Sequence, residues 1–174
     1  MATQKVLVLD PTTSLPKELT PNTTSAGAAD AGKLPALNAS GVLDSTLLPP
    51  GIGEASQTFP TSEALSAGAL VNIFDSSGTP TARNANATDA TKPAHGFVLA
   101  STASPADATV YFPGQVVSGV SGLTTGASVY LSAATSGAVT STAPATAGNL
   151  IQQVGSALSP TSFVFQPLLP VIKG

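Results

Sequence analysis

Ala69-Leu-Val-Asn-Ile-Phe74, followed by Asp75-Ser-Ser-Gly78 and the return Thr79-Pro-Thr-Ala-Arg83, is the stretch that decides the fold. Leu70, Val71, Ile73 and Phe74 form a run that suits a pleated, half-buried surface. Asp75 to Gly78 has turn composition, so the stretch predicts a β-hairpin. The same alternation of short β-rich runs and turn residues continues downstream. Ala94–Ala100 and Ala108–Phe112 read as strands split by Ser104-Pro-Ala-Asp107. Gln115–Val120, Ala127–Leu131 and Gly137–Thr140 follow, with Gly122 and Gly126 between them. Leu150–Leu158 and Ser162–Gln166 close the series. Short strands spaced every ~8–12 residues predict an all-β domain, a small barrel or sandwich. No window there shows the 3.6-residue stripe of an amphipathic helix.

Outward from this domain the pattern changes. Residues 1–60 read as an extended, mostly irregular N-terminal arm, 61–166 as the β-domain, and 167–174 as an apolar C-terminal tail. Within the arm, Gly32-Lys-Leu-Pro-Ala-Leu-Asn-Ala-Ser-Gly-Val-Leu-Asp-Ser-Thr-Leu-Leu-Pro49 sets Leu34, Leu37, Val42, Leu43, Leu47 and Leu48 among prolines and an Asn-Ala-Ser-Gly turn, with no period. Pro35 and Pro49 exclude an uninterrupted helix and push Leu34 and Leu48 toward extended backbone. Asp44 is placed to cap a single helical turn after it. Too many leucines are present for a solvated linker. The segment is expected to lie along a partner, with Leu34, Leu37, Leu43, Leu47 and Leu48 as anchors. Thr20–Gly32 is small and polar enough to be mobile, and Pro50-Gly-Ile-Gly53 separates arm from domain. Lys5–Leu9 is a β-prone run in which Val6 and Val8 are candidate strand-pairing positions on an exposed sheet edge. Fully extended, an arm of about 50 residues reaches on the order of 150 Å.

The tail, Pro167-Leu-Leu-Pro-Val-Ile-Lys-Gly174, concentrates Leu168, Leu169, Val171 and Ile172. Burial of each such side chain stabilises by roughly 1.5–3 kcal/mol, so the tail gains by docking, on its own domain or on a neighbouring subunit.

Composition excludes several classes. Charged residues make up 9% of the 174, against about 25% in an ordinary domain. Six basic and nine acidic side chains leave a net charge of −3, with neither sign in a run, and Arg83 is the only arginine. Nucleic-acid binding needs clustered cations to displace counterions, so none is expected. Polybasic attachment to a membrane fails likewise, and no apolar run approaches the roughly 18 residues of a membrane span. Lys5–Leu9 is too short for a signal-peptide core, which predicts synthesis in a cytoplasm. The absence of Cys leaves the redox compartment open. Three sequons, at Asn22, Asn38 and Asn86, are what chance gives in a chain so rich in Ser and Thr.

Chemistry is sparse. His95 is the only histidine, with Asp89 and Asp107 near it merely in sequence. Its setting, between Pro93 and an apolar strand, is that of a turn or edge-strand residue. No Gly-x-Ser-x-Gly elbow is present. Asp10, Asp44, Asp75 and Asp107 sit in turns, where local backbone bonding explains them. Gly51-Ile-Gly53 lacks the lysine and helix of a phosphate cradle. Tyr111 and Tyr130 read as half-buried strand positions. The residues predict no catalytic centre, no metal and no cofactor.

Three segments in order, Leu65–Phe74, Ala87–Leu99 and Gly119–Leu131, resemble the small β-domain of tailed-bacteriophage virion proteins, the capsid decoration (cement) and head-fibre-like proteins. The likeness spans roughly residues 63–166, and Gly32–Pro49 resembles an arm element of fibres and decoration proteins. Each motif is a strand-turn formula of moderate specificity; their order in one chain is more telling. The resemblance implies a homotrimer on the outer capsid surface of the virion, at three-fold or quasi-three-fold positions. In that reading the arm staples adjacent major capsid protein subunits, and Leu168, Leu169, Val171 and Ile172 form the trimer seam. A tail-fibre or baseplate component is the alternative, weakened by the absence of fibrous repeats and heptads. A glycan-binding module ranks third because aromatic platforms are scarce.

Overall fold

The structure, a computed structural model, describes residues 5–48 and 55–174. The sequence-based break at residues 50–53 lies outside them. The chain divides into two compact units, Met1–Gly53 and Glu54–Gly174. Among the described residues it is all-β, with two short 3-10 turns and no α-helix.

In the first unit, β1 (Val6–Leu9) and β2 (Pro16–Leu19) form an antiparallel hairpin, with Val6 opposite Leu19 and Val8 opposite Lys17. Pro16 is tolerated because it opens its strand, where no ladder donor is required. Asp10 organises the connection by accepting from the Thr12 and Thr13 N–H groups. The 3-10 turns are Gly27–Asp30 and Ser45–Leu47, the second capped by the Asp44 carboxylate, which accepts from Thr46 N–H. Leu48 is extended, at φ −94° and ψ 150°, as the following proline requires.

The second unit holds two five-stranded antiparallel sheets. The first has the order β3 (Ser56–Pro60), β7 (Asp107–Tyr111), β6 (Gly96–Val98), β4 (Leu70–Ser76), β5 (Thr79–Asn84). The second runs β10 (Val139–Thr140), β9 (Ser128–Leu131), β12 (Gln153–Ser159), β13 (Ser162–Phe165), β8 (Val116–Ser118). The deciding hairpin is β4–β5: Ser76 faces Thr79, and Ser77 and Gly78 between them take φ 54° and 87°. A two-residue loop with positive φ at both positions is the turn whose twist matches that of the strands.

Period-2 alternation then builds two cores. Leu70 and Phe97 point to one side of the first sheet and meet Val117, Val129, Leu131, Val154, Ala157, Phe163 and Phe165 of the second. Phe97 stacks on Tyr111 at 5.6 Å and meets Phe165 edge-on at 5.5 Å. Val71, Val98, Ala108 and Val110 point the other way and join Phe59, Leu65, Ala69 and Ala82 in a separate cluster. A parallel bridge between Thr61, just after β3, and Ala82 on the opposite edge strand curls the first sheet into a half-barrel around that cluster.

Two differences from the sequence reading have physical causes. The sheet begins at Ser56, inside the stretch assigned to the arm; Ser-Gln-Thr-Phe-Pro lacks an apolar run and forms a strand because it pairs with β7. Leu150–Leu158 is two strands, β11 (Leu150–Ile151) and β12, because Gln152 turns inward between them. Its Oε1 accepts from Ala94 N–H at 2.7 Å and its Nε2 donates to the carbonyls of Ala94 and Leu168. The tail supplies β14 (Val171–Ile172), antiparallel to β11.

Candidate interaction surfaces

Within the arm segment, expected to lie extended along a partner, residues 32–48 make hydrogen bonds to other parts of their own unit, through polar groups rather than apolar packing. Asn22 N–H donates to Leu34 O and Ala36 N–H to Asn22 O, bracketing an isolated bridge to Pro35. Thr46 Oγ1 accepts from Ser25 N–H at 2.9 Å and donates to Asp44 at 2.7 Å. Asn38 Oδ1 accepts from the Ser40 and Val42 N–H groups, closing the Asn-Ala-Ser-Gly turn. Asp30 bonds Ala26 N–H and pairs with Lys33 at 2.7 Å. These bonds hold the Asp30 carboxyl down to about 2, and Thr46 holds Asp44 below its usual value.

No described residue of this unit is buried. Leu34, Leu37, Val42 and Leu43 are exposed, whereas Leu47 and Leu48 are half-buried. Val6 is exposed and Val8 half-buried, while the most exposed positions of β1 are Leu7 and Leu9, at 73% and 69%. Leu7, Leu9 and Leu15 do not stand out in the sequence, because a short β-prone run and an isolated leucine beyond it do not reveal which side chains a lone hairpin displays. Among the described residues, one ladder edge of β1 has no partner strand.

The tail combines a docked backbone with displayed side chains. Beyond the β11–β14 pairing, Leu168 N–H donates to Gln153 O, Lys173 N–H to Asn149 O and Gly148 N–H to Lys173 O. Yet Leu168, Val171 and Ile172 are exposed and Leu169 is 90% exposed. The backbone of this segment is therefore docked on its own domain, while its aliphatic side chains are exposed.

His95 is a strand-edge residue. Its Nδ1 accepts from Ile73 N–H at 3.1 Å, and its backbone N–H donates to Val71 O. Burial lowers the imidazole below its ordinary value, and the acceptor role at Nδ1 suits the neutral ring. Beside it, Arg83 lies over the Phe74 ring at 4.2 Å and donates from Nε to the buried Asn72 Oδ1. Among the described residues no group of three or more His, Cys, Asp or Glu is placed to hold a metal ion, and no helix is long and apolar enough to cross a membrane. A cleft of about 290 Å³, lined by residues 66–69, 84, 119–121 and 135–139, contains no charged or aromatic side chain. Asn86 of the third sequon donates to Ser136 Oγ and accepts from Thr88, a turn role like that of Asn38.

No family model, curated protein or solved structure matches this chain.

Proposed function

We propose that this chain is a structural virion component, a capsid decoration protein of a tailed bacteriophage. In this reading the β-domain trimerises on the outer capsid surface, and the N-terminal unit staples adjacent major capsid protein subunits after synthesis in the host cytoplasm. The observation that carries the reading is the arm: leucines and valines at Leu7, Leu9, Leu34, Leu37, Val42 and Leu43 are displayed from a unit none of whose described side chains is buried. Ordered turns bring those groups to the surface at a reduced entropic cost of binding. Apolar burial on a partner then supplies roughly 25 cal/mol per Å² of area removed from water. Symmetric repetition multiplies a weak contact through effective concentration. Leu168, Leu169, Val171 and Ile172, fixed by backbone bonds and bare at the side chains, are the proposed seam between copies.

The test is co-sedimentation with undecorated capsid shells. Replacing Leu34, Leu37 and Leu43 together by Ser is expected to abolish attachment while leaving the β-domain's thermal transition unchanged. Attachment equal to that of the parent chain would overturn the arm's role.

A further inference from the structure

Four of the five lysines stand within ion-pair distance of a carboxylate: Lys5 of Glu18, Lys17 of Asp10, Lys33 of Asp30 and Lys92 of Asp89. Arg83, the sole arginine, is half-buried and has no such partner among the described residues. It is nevertheless firmly held. Its Nε donates to Asn72 Oδ1 at 2.9 Å, its Nη2 donates to Thr91 O at 2.9 Å, and the guanidinium lies 4.2 Å over the Phe74 ring. Asn72, which takes the Nε bond, is itself 1% exposed. The acids nearest in sequence are directed elsewhere. Glu63 accepts from Asn84 N–H, and Asp89 accepts from Thr91 and pairs with Lys92. Asp75, next after Phe74 in β4, points to the opposite face of the strand. Nη1 is left without an acceptor among the described residues.

His95 adds a second open donor on the same face. Asn72 lies opposite Arg83 in the β4–β5 register, and β6 runs along its other side, with Val71 opposite Gly96. The imidazole Nδ1 lies 3.5 Å from Asn72 Nδ2 and accepts from Ile73 N–H. The neutral ring therefore carries its proton on Nε2, which has no partner among the described residues. The only arginine and the only histidine thus flank one buried amide, each with an unused N–H.

We infer that Arg83, with His95 beside it, is a receptor for one carboxylate, borne by an acidic side chain of a protein partner. A half-buried guanidinium gives up hydration, and a carboxylate replaces it with charge-assisted bonds. Asn72, Thr91 and Phe74 already fix the fork, so little side-chain entropy is lost when those bonds form. One guanidinium and one neutral imidazole match the single charge of a carboxylate better than the near-double charge of a phosphate group. The identity of the partner rests on the function proposed above: it is the capsid surface, where the β-domain gains a contact separate from the leucines of the arm.

Two measurements test it. In a proton–nitrogen NMR spectrum of the full chain the lone arginine gives one Nε–H signal. Sodium acetate is expected to shift it to saturation, and sodium chloride at equal ionic strength is not. Equal responses to the two salts would overturn the site while leaving the capsid reading standing. Co-sedimentation with undecorated capsid shells then separates a carboxylate on the partner from a free one. Arg83→Gln is expected to attach about tenfold more weakly than the parent, whereas Lys92→Gln, which removes a cation already paired with Asp89, is expected to attach as the parent does. Acetate at saturating concentration is expected to weaken attachment of the parent chain more than chloride does, a readout that needs no variant to fold. Arg83→Gln attaching as the parent does, with acetate no more effective than chloride, would overturn the protein partner. A parent chain that does not attach to shells would overturn the proposed function and the partner with it, but not a saturating acetate shift.

Discussion

Gly155 has no room for a side chain: a Cβ there would lie 1.9 Å from the Val164 carbonyl oxygen of the neighbouring strand and 3.0 Å from the Phe163 ring. Gly96 is similar, with a Cβ 2.5 Å from Val110 Cγ1 and 2.7 Å from Tyr111 O. Overpacking typically costs about 1–3 kcal/mol, and rigid backbone on the far side leaves little relaxation. Gly155→Ala is therefore expected to lower the unfolding free energy, read from the denaturation midpoint and slope, by at least that much, while Ser156→Ala next to it stays within ~0.5 kcal/mol. Gln152 carries the other residue-scale prediction. Gln152→Leu leaves Ala94 N–H and the Ala94 and Leu168 carbonyls without their partner, a loss of about 1–3 kcal/mol for each buried group left unsatisfied. Limited proteolysis of that variant is expected to remove the tail faster than from the parent chain. Neither role was legible in the sequence. A glycine in a strand run and a glutamine between two β-rich stretches look ordinary until a cross-strand neighbour or an Ala94 backbone is set against them.

At the scale of elements, the turns of the arm depend on ionised carboxylates. Asp30 is held at about 2, chiefly by Ala26 N–H and then by Lys33. Asp44 is lowered by the Thr46 hydroxyl and N–H, and Asp10 by the Thr12 and Thr13 N–H groups. A folded value below the unfolded 3.8 means stability fully present above that pH and lost as pH falls through the folded value. Among the described residues of the β-domain, only Asp89 shows the same resolved lowering, from Thr91. The amide signal of Ala26 is thus expected to shift as pH falls from 3.8 to about 2, and those of Thr12 and Thr46 as pH falls below 3.8, before the core strands respond. His95 has the same sign: its lowered value makes its contribution complete above 6.5 and lost as pH falls through the folded value. A His95 titration midpoint above 6.5 by NMR would contradict that environment. These turns were partly readable, since Asp44 before Ser-Thr-Leu is a helix-cap pattern. The β1–β2 hairpin was not, because Pro16-Lys-Glu-Leu19 has no β signature and owes its strand to pairing with β1.

At the scale of the whole molecule, the all-β architecture was legible because turn residues punctuate each strand from Leu70 to Phe165. The split into a half-barrel and a second sheet was not. It follows from alternate residues of β4 and β6 both being apolar, so that Leu70 and Phe97 serve one core while Val71 and Val98 serve the other. Among the described residues both cores are built from Phe59 onward, so a chain lacking residues 1–50 is expected to retain the parent's cooperative thermal transition. A broad or missing transition would contradict that independence. The interaction surfaces were read as apolar positions, and the structure adds which of them are displayed: Leu7, Leu9 and Leu169 more than Val6, Val8 or Leu48. The central claim is the seat of this protein on a particle, and electron cryo-microscopy of intact virions tests it most directly. The account predicts β-domain density in three-fold clusters on the outer capsid surface, with arms crossing to adjacent major capsid subunits. Density confined to the tail or baseplate, with a bare shell, would contradict it.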